Sequence, residues 1–165
     1  MAPKSQAKKD SNRDLARYCE LAVSLGAVEA KLIPAKSVVT APWVRMKCLY
    51  GCGGAGARKS CPPHSPTPEQ TQQLVDSFTR AILIHVRDRV DITEIARKVE
   101  IAAFLGGYYK AWSMGAGPCM LCEDCDPEEP CLHPDQSRPA MEACGVEVLT
   151  SHDDEPNFFG LVLIE

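Results

Sequence analysis

Apolar positions along this chain follow two periods, interrupted twice by stretches with no period at all. Leu15, Tyr18, Ala22 and Leu25 recur at three- and four-residue steps, the spacing of one helix face. Ser11 or Asn12 can cap that helix and Gly26 ends it. The stretch VEAKLIPAKSVVTAPW (28–43) is rich in β-branched residues but broken by Pro34 and Pro42, which predicts one or two short strands. A second helix is announced by SPTPEQTQQLVDSF. Thr67 caps it, Pro68 suits its first position and Gln70 completes a T-x-x-Q box. Leu74, Val75 and Phe78 form its buried stripe.

The run AILIHV (81–86) is apolar almost without a break and reads as a central strand covered on both faces. Asp91 and Glu94 form a D-x-x-E start for a third helix. Its face of Ile92, Ile95, Val99, Ala102 and Ala103 is expected to run on towards Trp112, with Gly106 and Gly107 inside it marking close packing or a kink. A brief helical turn is expected at 139–143, then strands at VEVLTS (146–151) and FFGLVLIE (158–165).

Strands separated by helices imply an α/β fold. The expectation is a small mixed sheet packed with about three helices, with two cysteine-rich metal-binding loops at one end. At 165 residues the chain reads as a basic disordered tail (1–12) and one domain (13–165). No repeat of domain-building length occurs.

The two aperiodic stretches change the picture. Residues 45–65, RMKCLYGCGGAGARKSCPPHS, read as an irregular loop; residues 115–131, GAGPCMLCEDCDPEEPC, read as a second. Together with Cys144 they hold eight of nine cysteines. The first set is C-x3-C-x8-C, at Cys48, Cys52 and Cys61. The second is C-x2-C-x2-C-x5-C, at Cys119, Cys122, Cys125 and Cys131, with Cys144 further on. Cys19 stands apart in the first helix as a small hydrophobe.

Compartment decides how such thiols read. The polar start MAPKSQAKKDSNRD lacks the apolar segment of a secretory signal, and no apolar run is long enough to span a membrane. The chain is therefore expected in the cytoplasm, where clustered thiols bind metal or do chemistry more often than they form disulfides. With 22 acidic and 18 basic residues, it has no cationic surplus for nucleic acid.

A C-x2-C-x2-C run can wrap three corners of an iron–sulfur cubane, the fourth thiolate coming from elsewhere. Cys61, followed by Pro62 and Pro63, fits that remote position. Eight thiolates match two [4Fe–4S] clusters by count. One cluster with structural cysteines, and zinc, remain alternatives; overlapping close thiols suit one tetrahedral ion less well. Disulfides are the least favoured. Whether Cys61 joins its own set or the second, and whether Cys131 or Cys144 completes the second, stays open. His64 and His133 lie near enough in sequence to ligate, though a surface role is the simpler account; His85 reads as a satisfied core or edge histidine. Glu123, Asp124, Asp126, Glu128 and Glu129 fit a solvated turn or a docking face. Arg45, Lys47, Arg58 and Lys59 fit offsetting a cluster's charge or receiving an anionic partner.

Two motifs mislead. GCGGAGARKS lacks the lysine directly after the last glycine that a phosphate loop needs. The C-x-x-C pairs crowd into an array, unlike the single pair of a thioredoxin-type site.

Several segments resemble a prokaryotic family of predicted metal-binding proteins, domain of unknown function 2284. They are K-C-x3-C-x8-C-P-P-H-S-P-T-P from Lys47, F-L-G-G-Y-Y-K-A-W from Phe104, G-A-G-P-C-x2-C-x2-C from Gly115 and P-C-x-H-P-x4-R-P-x-M-E-A-C-G-V from Pro130. Ala140 stands where that family often has serine. The resemblance implies that Cys48, Cys52, Cys61, Cys119, Cys122, Cys125, Cys131 and Cys144 are the metal-binding set. It names no reaction.

Three functions compete. The first is an iron–sulfur electron-transfer or accessory redox protein with a protein redox partner. The second is an enzyme whose cluster keeps an open iron site, and the third is a zinc-stabilised interaction module. No complete catalytic motif decides whether the chain is an enzyme.

Overall fold

The structure is a computed structural model describing residues 12–87, 91–148 and 156–165. The expected tail thus lies outside the described residues up to residue 11. Helix α1 spans Asn12–Ser24, strand β1 Glu29–Pro34, helix α2 Pro42–Gly51, helix α3 Pro68–Asp76 and strand β2 Arg80–Arg87. Helix α4 (Ile92–Leu105), strand β3 (Trp112–Met114), a 3₁₀ turn (Glu142–Cys144) and strand β4 (Asn157–Leu163) follow. The α/β expectation holds, with four helices around one four-stranded sheet. Its order is β1-β2-β4-β3, and every pairing is antiparallel rather than mixed.

Alternation along β2 and β4 sends side chains to opposite faces, and each face has its own core. Ile82, Ile84, Val86, Val162 and Ile164 pack under α1 and α4. Ala81, Leu161 and Leu163 pack with Val75 and Phe78 at α3, and with Met141 and Cys144. Burial on both faces is why AILIHV has no polar alternation. The boundaries of α3 also follow its sequence. Gln70 N–H donates to the Thr67 hydroxyl, and the Gln70 side chain accepts from Thr67 N–H.

Four local expectations need correction. Residues 45–51 are helical, not loop, because Pro42 opens α2 and nothing breaks it before Gly51. Its buried face consists of Val44 and Arg45, so no apolar stripe advertised it. Helix α4 stops at Leu105: Gly107 takes φ +95° and turns the chain, the usual service of glycine after a helix. β3 is only three residues long, too short to show a period. Within the described part of VEVLTS, Val146 makes only a single bridge, to Thr40; the rest of that segment from residue 149 lies outside the described residues.

Candidate metal centre

The first thiol set is built by α2 and the loop after it. Cys48 lies on α2, Cys52 follows the helix as its C-cap, and Cys61 closes the loop. That loop folds on backbone bonds from Ala55 N–H to Cys52 O, Gly56 N–H to Pro62 O and Cys61 N–H to Arg58 O. Cys48, Cys52 and Cys61 line one cavity of about 260 Å³. Its other walls are mainly apolar, with Glu142 the exception.

The second set sits on a loop tied off at its neck. Gly115 N–H donates to Pro139 O and Met141 N–H to Gly115 O. Among the described residues, the other backbone–backbone bonds inside this loop are two, from Gln136 and Ser137 to His133 O. Cys119, Cys122, Cys125 and Cys131 nevertheless line one small cavity of about 20 Å³, together with His133, Arg58 and Lys59.

The first loop holds the second in place. Arg58 Nη1 donates to Cys122 O at 2.6 Å and Nη2 to Glu123 O at 3.3 Å. Lys59 Nζ donates to Glu129 O at 2.6 Å and Pro127 O at 3.1 Å. Ser60 Oγ accepts from Cys119 N–H at 3.3 Å, and the same hydroxyl is hydrogen-bonded to the Cys61 thiol. Ser137 Oγ reaches Cys119 Sγ at 3.6 Å. The two sets are therefore adjacent, and Cys61 and Cys119 lie close enough to feel each other's charge.

Arg45 is the unusual group here. It is only 8 % exposed. Its Nη1 donates to Ser65 O, Ser65 Oγ, Pro66 O and Ala143 O, and its Nη2 to Pro63 O, at 2.7–3.1 Å. Among the described residues no carboxylate forms a salt bridge with it. A buried cation without a salt-bridge partner is costly, and here its charge acts on Cys48, Cys144 and Glu69. Burial raises the Cys48 and Cys61 thiols. It pushes Cys144 up to about 12, with Thr71 and Arg45 pulling partly back. Burial also raises the Glu142 carboxyl.

The sequence-derived candidates thus sort into two groups and a remainder. Cys144 lines neither cavity; it is 1 % exposed, inside the core beneath the sheet. Cys19 is half-buried against the opposite core. His64 is exposed and lines neither cavity. His85 stacks on Phe159 and bonds Asn157. Lys47 sits over the Trp43 ring. Sequence reasoning missed Ser60, Ser137 and Glu142, single polar residues with no pattern of their own; only their placement beside the thiols marks them. Among the described residues no three His, Cys, Asp or Glu side chains, as placed, stand ready to hold one metal ion.

A family model described as "Predicted metal-binding protein" (DUF2284) matches residues 31–164. The chain belongs to this family. The match takes in both thiol sets and the sheet that carries them. No curated protein and no solved structure matches the chain. The donor chemistry fits the DUF2284 description: soft thiols line both cavities, the class of ligand that selects zinc, copper(I) or iron–sulfur groups. No helix among the described residues is long and apolar enough to cross a membrane.

Proposed function

We propose that this DUF2284 protein is an iron–sulfur redox protein that passes electrons between two neighbouring centres. Cys119, Cys122, Cys125 and Cys131 hold one [4Fe–4S] cluster, and Cys48, Cys52 and Cys61 hold the other. The observation that carries this reading is the sorting of seven thiols into two adjoining cavities, with Cys61 and Cys119 at their boundary. The groups would supply one-electron redox chemistry. The chain's own part is to supply thiolates, offset their charge with Arg45, Arg58 and Lys59, and keep the centres close. Ser60 and Ser137 hydroxyls beside the sulfurs fit the tuning of potential by hydrogen bonds.

A protein partner is part of the proposal. Met120 and Leu132 are well exposed beside the second set. Among the described residues, none of Glu123, Asp124, Asp126, Glu128 and Glu129 forms a salt bridge. Exposed apolar side chains on a loop whose carboxylates form no salt bridge fit a redox partner with a basic rim. A reducing, cytoplasmic compartment would keep all these thiols available.

Anaerobic purification with iron, sulfide and zinc assays tests the reading. The expected result is a brown protein with iron and acid-labile sulfide in near-equal amounts, whose visible absorption bleaches on reduction. Zinc without sulfide would overturn it in favour of a zinc-stabilised interaction module.

A further inference from the structure

We propose that Arg58, Lys59 and Ser60 are positioning residues for the second thiol set. That set binds its metal only on a loop they hold, while the first set needs nothing from the second. This rests on the reading above that both sets bind metal, but not on which metal they bind.

The three residues stand in a row directly before Cys61, and each reaches into the second loop. Their bonds fall at Cys119 N–H, Cys122 O, Glu123 O, Pro127 O and Glu129 O. Every thiol of the set is therefore held close by. Cys119 and Cys122 are bonded through their own backbone. Cys125 lies two residues from both Glu123 and Pro127, and Cys131 two residues from Glu129. All these partners are backbone groups, so the bonds fix the course of the chain rather than any side chain. Among the described residues, neither Arg58 nor Lys59 forms a salt bridge with the carboxylates of the loop. Two half-buried cations thus serve carbonyls and not charge pairs.

The dependence runs one way. The first loop closes on itself, adding bonds from Ala57 N–H to Gly54 O and from His64 and Ser65 N–H to Cys61 O. It is also moored to the 3₁₀ turn: Ala143 O accepts from Arg45 Nη1 at 3.0 Å and from Ser65 Oγ at 2.7 Å, both buried. In the second loop, the bonds to His133 O lie beyond the last thiol. Among the described residues, 119–131 make no backbone–backbone bond of their own, and they take their course from residues 58–60. As placed, the thiols among the described residues form no ready cage. Residues 58–60 bring them alongside, and metal closes the set.

The test uses the full chain purified anaerobically with its metal and treated with iodoacetamide, the alkylation rate of each cysteine being read by mass spectrometry. In the native chain both sets should react slowly. Arg58→Met combined with Lys59→Met should speed Cys119, Cys122, Cys125 and Cys131 by about tenfold, while Cys48, Cys52 and Cys61 stay slow and report an intact fold. Arg58→Lys keeps the charge but not the planar fork, and should also speed Cys122 and Cys125. If the double variant does not fold, Arg58→Lys decides. Cys119→Ser combined with Cys122→Ser dismantles the second set and should leave the first slow. Native rates at the second set in the double variant or in Arg58→Lys would overturn this inference and leave the iron–sulfur reading standing. So would a fast first set in Arg58→Lys or in the serine variant. Slow native thiols with zinc and no sulfide would overturn the iron–sulfur reading alone. Fast native thiols in both sets would overturn both.

Discussion

Arg45 illustrates how much one side chain can organise. Its guanidinium joins five acceptors from residues 63, 65, 66 and 143, stitching the first loop to the 3₁₀ turn. A lysine would keep the charge but not the planar fork. Arg45→Lys should lower the stability of the metal-free protein by about 1–3 kcal/mol through stranded carbonyls, read from urea unfolding. An unchanged midpoint would show that the bonds are replaceable. In the sequence this residue looked like one more cation flanking a cysteine; its burial was invisible because no apolar pattern surrounds it. The thiols themselves stood out as candidate ligands by spacing alone. Their partition was not, since C-x2-C-x2-C-x5-C and C-x3-C-x8-C permit several pairings.

Helix ends and helix anchors set the element scale. The Thr67 capping box was readable at once, because its two bonds lie within four residues. Thr67→Ala should cost about 1 kcal/mol, measured by thermal or urea unfolding. Helix α4 is tied down by a contact of the opposite sort. Glu100 is buried, accepts from Ser113 N–H and Oγ, and pairs with both Arg138 Nη2 and Nε at 2.6–2.8 Å. These bonds span 13 and 38 residues. Arg138→Leu leaves that carboxylate buried without its cation and should cost about 3–5 kcal/mol; the same unfolding assay checks it. On the exposed side of α4, Arg97 and then Lys98 hold the Glu94 carboxyl below its usual range. A depressed folded-state value means the unfolded chain binds more protons. The contribution is thus present above the unfolded pKa and lost as pH falls through the folded one. Glu94 is more than a third exposed, so solvent keeps the gain below about 1 kcal/mol. Glu94→Gln should therefore lower stability at neutral pH by less than about 1 kcal/mol, leave it unaltered at pH values below the folded pKa, and so flatten the acid limb of the stability curve slightly.

At the scale of the molecule, a well-covered sheet supports two loops, the first folded on its own backbone bonds and the second with few. Residues 116–139 make few backbone bonds, and Arg58 and Lys59 supply much of their anchorage. Loops of that length without a core need a staple, and bound metal would serve. Chelation should open protease cleavage within 52–65 and 116–139 while the sheet stays protected. Equal cleavage with and without metal, followed by mass spectrometry of the fragments, would show that the loops need no such support.

Local physics made most of the helices, the central strand and the two clusters of thiols readable from sequence, because periodicity, caps and thiol spacing act within a few residues. Three features were decided only by the tertiary structure. The sheet order depends on pairings between distant segments. The sorting of the thiols depends on where two loops meet. The inward turn of Cys144 depends on bonds from Arg45 and Ser65 to Ala143, which lie far apart in sequence and have no local signature.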